Sequence, residues 1–471
     1  MKKLFLSAVA LMCGAVMFAQ FNASDVNQLG DGNGSAVTQE GETNISDVDQ
    51  FGGENVSFVN QKGKSNGSIV DQIGDLNESD VDQHGNSNTA FTGQMGDGNE
   101  SFIEQHGKTN YAETMQGYYN DDIGNDNFSD VYQQGKSNKS YVWQNFTSND
   151  NESFVNQEGH DNYSQVRQDG DDNFSKVDQD GDDNFSLVMQ KYNADDNDSD
   201  VYQIGDDNDS YVRQDGYKNK SDVDQDGWYN YSDVYQLGKY NDSEVYQIGL
   251  ANDSDVDQIG KSNDSYVNQD GWFNYSKVLQ DGWRNGSEVY QDGMSNDSYV
   301  NQDGWFNDSY VDQKGWSNDS DVNQKGMGND SEVYQDGWFN DSDVYQLGTG
   351  NDSYVNQKGT GNDSDVDQFG MGNKSDVYQD GYKNDSKVLQ LGMGNDSYVD
   401  QKGYKNDSNV FQDGMGNESD VYQDGWKNVS DVDQFGFWNT STVNQTGLGH
   451  DSVVLQVGAG NTSTVTQMDS K

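Results

Sequence analysis

Polar and apolar positions alternate along this chain with a period of two. The stretch NDSYVNQDGWFNDSYVDQKGWSNDS, from Asn296 to Ser320, shows the rule. Asn296, Ser298, Val300 and Gln302 recur as Asn307, Ser309, Val311 and Gln313, while the positions between them vary among Asp, Tyr, Asn, Lys and Glu. Side chains alternate faces along a strand, so the constant set shares one face and the variable set the other. On a helix the same spacing would smear the constant residues around the axis. Gly304, Gly315 and Gly326 follow each strand. With the two free residues after it, each makes a turn, because glycine relieves the steric limit on positive φ. One unit is a short strand plus a tight turn.

The eleven-residue step runs from Asn22 to Asn110 and resumes at Asn127 after a six-residue surplus. Two-residue surpluses precede Asn151 and Asn197, and from there the step holds to Asn461, with His450 in one asparagine place. The units number 40, and Tyr118 stands where one glycine is expected, within a degraded stretch from Tyr111 to Asp126. A register kept over such a length marks a repeated structural unit. The chain divides into residues 1–19, repeats 20–126 with that degraded end, repeats 127–196 with small insertions, and regular repeats 197–471 continuous with them. The surpluses near Asp121, Asn149 and Asp195 read as loops or as breaks.

No unit stands alone. Two facing units make a 22-residue rung that buries two Val and two Ser. Each valine contributes roughly 1.5–3 kcal/mol, whereas fixing the backbone of a rung costs on the order of 20–40 kcal/mol. Stacked rungs gain ladder hydrogen bonds on both sides and align like residues at about 4.8 Å. The expected fold is an all-β, narrow β-solenoid of strand-turn-strand rungs, roughly 95 Å long. In it Gln302 sits over Gln324 and Asn296 over Asn318, as amide ladders that also take in Asn307 and Gln313. The absence of proline suits uninterrupted pairing. The repeats start at Asn22 and finish at Gln467, leaving little chain to cap the end rungs, so head-to-tail addition is expected.

Composition sharpens this picture. Apolar residues are 31 % of 471, glycines number 54 and the net charge is −55. These values belong to chains too poor in apolar surface to build an ordinary core. The acid excess argues against nucleic acid or an anionic membrane as partner. Asp297, Asp308, Asp319 and Asp330 stack on their likes two units away, and exposed like charges at rung spacing repel by about 1 kcal/mol per pair. Lys2, Lys3 and the apolar run from Leu4 to Phe18 form an export signal, with a cut after Ala19. The run is short for a membrane span, so no membrane insertion is expected. The one cysteine, Cys13, leaves with the signal.

Chemistry is sparse. Asp222, Asp224 and Asp226 with Asp233 have the spacing of a calcium loop, but an EF-hand needs flanking helices and this segment keeps strand register. Diffuse calcium binding along the acidic rows is the broader expectation, with no cofactor. His84, His106, His160 and His450 fall in turn or cap-like places of different units. No serine has a nucleophile elbow and no carboxylate pair is set apart, so no enzyme is expected. Tyr299, Tyr310, Trp305, Phe306 and Trp316 read as adhesive or sugar-stacking surface, or as packing between turns. Rows of Thr suited to ice occur only in spots such as Thr440 and Thr442.

The segment Asn22-x5-Gln28-x-Gly30-x2-Asn33-x5-Gln39 is similar to the curlin repeat, S-x5-Q-x-G-x2-N-x5-Q, with Asn in place of the first Ser. The resemblance extends from Asn22 to Gln467. This chain departs from the family in its many more repeats, its inner serines and its strong acidity. The resemblance implies a secreted, self-assembling subunit of curli-like extracellular amyloid fibres serving adhesion and biofilm matrix. It also implies a nucleator subunit and an outer-membrane secretion apparatus as partners. A monomeric acidic solenoid that binds calcium or other divalent cations at the cell surface is the alternative.

Overall fold

The structure, a computed structural model, describes residues 21–117, 124–144 and 148–469. The expected export signal and cut at Ala19, and the positions Tyr118 and Asp121, lie outside the described residues. Forty strands run from β1 (Ala23–Leu29) to β40 (Thr462–Met468), with no helix among the described residues. Every strand pairs in parallel with the strand two places along, as Ala23↔Ile45 and Gly34↔Val56 begin to do. Odd strands thus form one twenty-stranded ladder and even strands another. Neither closes on itself: β1 and β2 (Gly34–Glu42) form the first rung, and β39 (Asp451–Ala459) and β40 the last. The molecule is a β-solenoid of stacked two-strand rungs.

Like residues stack because the register repeats. In β25 (Asp297–Trp305) and β27 (Asp319–Met327), Ser298 pairs with Ser320, Val300 with Val322 and Gly304 with Gly326. Between β25 and the facing β26 (Asp308–Trp316) lie Ser, Val and Gln side chains, all buried. The valine column continues from Val48 to Val454 with few replacements. One replacement shows what faces what. Thr92 and Thr114 stand in valine places, and their hydroxyls meet Ser101 and Ser129 of the opposite sheet at 3.4 and 3.3 Å. Each valine place therefore faces a serine, and where valine is present the serine hydroxyl, as at Ser298 and Ser309, is buried without a hydrogen-bond partner. Such a group costs about 1–3 kcal/mol, so the core relies on repetition rather than on each layer being optimal.

The surpluses do not break the stack. Across the six-residue surplus, β8 (Glu100–Lys108) pairs with β10 (Phe128–Lys136), matching Gln105 to Gln133 and Gly107 to Gly135. Across the surplus near Asn149, β10 pairs with β12 (Glu152–His160), Gln133 to Gln157. Near Asp195 the extra residues form a bulge at the end of β15 (Phe185–Asp195), between Lys191 and Asp195, and β17 (Asp209–Tyr217) still stacks on it. The ladder gains most of its energy along its length, so the strands on either side of each surplus pair as they do elsewhere.

Candidate functional site

Among the described residues this rod offers its ends, its amide columns and its two outer faces. The glutamines form two unbroken hydrogen-bonded columns. Gln302 Nε2 donates to Gln324 Oε1 at 3.0 Å, and Gln324 Nε2 to Gln346 Oε1 at 2.9 Å. On the even sheet Gln313 donates to Gln335 at 2.9 Å. The second amide hydrogen crosses to the other sheet: Gln302 donates to the Gly286 carbonyl at 2.6 Å and Gln313 to that of Asp297 at 2.7 Å. One glutamine thus binds along the axis and across it. The columns continue through the surpluses, Gln105 to Gln133 at 2.8 Å and Gln144 to Gln168 at 2.9 Å. Aligned amides polarise one another, which strengthens such a chain.

The asparagines do different work. Asn296 Oδ1 accepts from the backbone N–H of Asn318 at 3.2 Å and also from Asn318 Nδ2 at 3.2 Å. Asn318 Nδ2 further reaches the carbonyls of Lys314 at 3.0 Å and Gly337 at 3.2 Å. Asn307 repeats this on the even sheet, accepting from the backbone of Asn329 at 3.2 Å. These side chains pin the turn backbone of one rung to the next and also form amide columns over part of the length, as from Asn296 through Asn318, Asn340 and Asn362 to Asn384.

The turns are more constrained than two free residues would be. Gly304, Gly315 and Gly326 have φ of +129°, +117° and +125°. A Cβ on Gly304 would overlap the carbonyl oxygen of Gly326 directly above, so this glycine is needed for close stacking as well as for φ. The residue just before each asparagine is left-handed: Phe306 at +58°, Ser317 at +51°, Gly328 at +65°. Its N–H is satisfied by the rung below, Phe306 N to the Trp283 carbonyl at 3.0 Å. The sequence signal for it is the frequent glycine in this place and the near absence of β-branched residues there.

The polarity of the glutamine columns makes the two ends of the rod different. At the first rung Gln28 and Gln39 donate upward to Gln50 at 2.5 Å and Gln61 at 2.8 Å, and their Oε1 atoms face outward. At the last rung Gln456 and Gln467 accept from below, and their Nε2 groups donate across to the Thr440 and Asp451 carbonyls at 3.0 and 2.8 Å. The side chains of β1 are exposed throughout, Val26 to 43 %.

The outer faces differ. On the odd sheet Asp297, Asp319, Asp341, Asp363, Asp385 and Asp407 stack in one column. Partial burial between rungs pushes Asp341 up to about 6, with Asp343, Asp319, Asp363 and Asp321 adding to the rise. Asp321 likewise lies near 6 from partial burial and then from Asp343, Asp319 and Asp297. Asp308 stacks under Asp330 on the even sheet, and burial followed by Asp308, Asp352 and Glu332 lifts Asp330 to about 6. Lysines relieve some of this strain across rungs, Lys277 to Asp255 and Lys387 to Asp365, both at 2.5 Å.

Among the aspartates with calcium-loop spacing, Asp222, Asp224 and Asp226 lie in β18 (Lys220–Trp228) of the even sheet. Asp233 lies in β19 (Tyr231–Lys239) of the odd sheet. The solenoid places these strands back to back, so the four carboxylates do not surround one point. Among the described residues no group of three or more His, Cys, Asp or Glu is placed to hold a metal ion.

Three of the four histidines lie on strands, His160 as the last residue of β12. His84 and His106 are on strands of adjacent rungs, with ring centroids 5.0 Å apart and with Asp82 and Glu104 at 2.9 and 2.6 Å. Among the aromatics, Trp305 packs on Trp283 at 6.3 Å and Phe306 on the same ring at 5.8 Å. Trp316 stacks on Trp338 at 5.4 Å. Both Trp305 and Trp316 remain about half exposed, so packing between turns and an accessible aromatic surface coexist. Tyr310 belongs to a longer column, formed by one tyrosine from each of nine consecutive even strands.

The family model of the curlin associated repeat matches this chain at residues 74–107, 124–159, 194–227, 340–370 and 372–403. No curated protein matches it.

Proposed function

The chain is a curlin-repeat protein, and on that premise we propose that it is a secreted subunit that assembles with its own kind into curli-like amyloid fibres of extracellular matrix. Adhesion and biofilm cohesion are the roles such a fibre serves. The supporting observation is the polarity of the rod: outward Oε1 acceptors of Gln28 and Gln39 at one end, Nε2 groups of Gln456 and Gln467 at the other. One copy placed end on another in register would continue both glutamine columns and both backbone ladders. Such a heterologous contact does not close, so it yields a filament. Repulsion along the aspartate columns keeps separate chains soluble until it is screened or protonated.

The test is seeded growth. Purified chain lacking residues 1–19 is incubated with and without sheared preformed fibres, and cross-β diffraction is recorded along the fibre axis. The reading requires seeding to shorten the lag, and a meridional spacing of about 4.8 Å. A chain that folds to a stable monomeric rod and ignores seeds at neutral and acid pH would refute it. Should calcium alone fold it to that monomer in a saturable way, the acidic solenoid as a cation-binding module takes over.

A further inference from the structure

On the even sheet, tyrosines alternate between two outer strand positions from one rung to the next. Tyr246, Tyr266, Tyr290, Tyr310, Tyr334, Tyr354, Tyr378, Tyr398 and Tyr422 form one continuous column. All neighbouring rings are tilted 36–40° to one another. The spacing alternates. Tyr266–Tyr290, Tyr310–Tyr334 and Tyr354–Tyr378 are 5.2 Å apart and Tyr398–Tyr422 5.3 Å, whereas the steps between these pairs are all 5.5 Å. The column therefore falls into four closer pairs, each joining two rungs, with Tyr246 left over. Every ring is at least partly open to solvent.

The surroundings of the phenols differ within a pair. Tyr290 donates to Glu288 Oε2 and Tyr334 to Glu332 Oε2, both at 3.3 Å. Asp376 and Asp420 hold the same strand position beside Tyr378 and Tyr422. The lower rings Tyr266 and Tyr354 instead accept from Asn268 at 3.2 Å and Asn356 at 3.0 Å. The aspartates beside Tyr310 and Tyr398, Asp312 and Asp400, are each bound to a lysine at 2.8 Å. Asp376 is likewise bound to Lys374 at 2.8 Å, so the upper phenols with a hydrogen-bonded carboxylate to take the proton are Tyr290 and Tyr334.

We propose that this tyrosine column is a site of oxidative cross-linking, at which a one-electron oxidant joins the phenols of successive rungs. Each phenol of a pair gives one electron to the oxidant and its hydroxyl proton to a neighbouring carboxylate or to water. The two phenoxyl radicals then form one carbon–carbon bond between ortho positions. The hydrogens on the joined carbons shift to the oxygens and restore both hydroxyls, so each link releases two electrons and two protons. The ladder holds the rings together beforehand, which replaces a bimolecular encounter by a local one. Because neighbouring rings are in near contact along the whole column, a radical formed at any ring can pass to the pair that traps it. The product is a covalent staple between rungs, and it requires only the folded rod, whether or not rods polymerise.

The test uses the full folded chain with a photo-oxidised ruthenium tris-bipyridyl complex, persulfate being the terminal electron acceptor. Dityrosine fluorescence gives the yield and mass spectrometry of digested chain gives the positions. The four closer pairs should carry most of the links, at about tenfold the yield of urea-unfolded chain. Links spread evenly over the chain's 28 tyrosines, or equal yields folded and unfolded, would overturn the proposal. Tyr334→Phe keeps the ring and should abolish the Tyr310–Tyr334 link while the Tyr266–Tyr290 link persists. Glu332→Gln should lower that link relative to Tyr266–Tyr290 in the same molecule, and an unchanged ratio would remove the carboxylate from the mechanism.

Discussion

At the scale of single residues, the two glycines of a turn such as Gly326-Met327-Gly328 are not equivalent. Gly304, like Gly326, is held by the backbone of the next rung, since a Cβ there meets a carbonyl oxygen. Gly328 has φ +65° with open space around it, and Ala251 occupies the same place at +53°. Gly328→Ala should therefore cost about 1–2 kcal/mol, the ordinary penalty of a left-handed non-glycine residue. Gly304→Ala should cost more and force β25 away from β27. Hydrogen exchange at the amides of those two strands distinguishes the cases; equal protection in both variants would refute this account. The sequence already marked Gly304 as a turn residue, from its fixed place after the alternating strand. That Gly326 stacks on it follows from the register expected for Gln302 over Gln324, but the close approach of the Gly326 carbonyl oxygen was not legible. Nor was the left-handed residue before each asparagine, whose identities run from Gly to Phe and Lys.

At the scale of the element, the strand alternation predicted the inner and outer faces, and the structure has Asn296, Ser298, Val300 and Gln302 inside. The reason is physical. Period two leaves one buried face, and only a strand whose inner residues match those of its neighbours can stack without gaps. Whether the surpluses were loops or breaks could not be read, because that depends on whether ladder pairing on both sides outweighs a local distortion. It does: the glutamine columns cross all three sites. The terminal strands are the exception to burial. In β40 the inner residue Val465 is only partly covered, so a charge there disturbs no complete layer. An inward lysine on an open edge blocks addition of a further strand. Val465→Lys should leave the circular dichroism of the monomer unchanged while slowing seeded elongation at that end. Unaltered growth at both ends, followed on single fibres, would show that β40 is not a growing surface.

For the whole molecule, charge opposes what the ladder favours. Stacking brings Asp297 to Asp407 into one column, and partial burial and mutual repulsion raise Asp321, Asp330 and Asp341 to about 6. Asp233 lies near 6 as well, from partial burial and then from Asp255 and Asp257. The direction is opposite to that of a carboxylate held in a salt bridge. With the folded value above the unfolded one, the folded chain binds more protons between the ordinary carboxylate range, near 4, and about 6. Stability must then rise as pH falls through that window and level off below it. The denaturant midpoint of the folded chain should be higher at about pH 4.5 than at about pH 7.5. Added sodium chloride should raise the midpoint at the higher pH, by screening the columns, and change it little at the lower. Lysines do not cancel the effect, since there are 27 Lys and Arg against 82 Asp and Glu. A midpoint that instead falls on acidification would mean that paired carboxylates outweigh the stacked ones. The acid columns would then contribute to cohesion, and the charge-based account of solubility before assembly would fail with them.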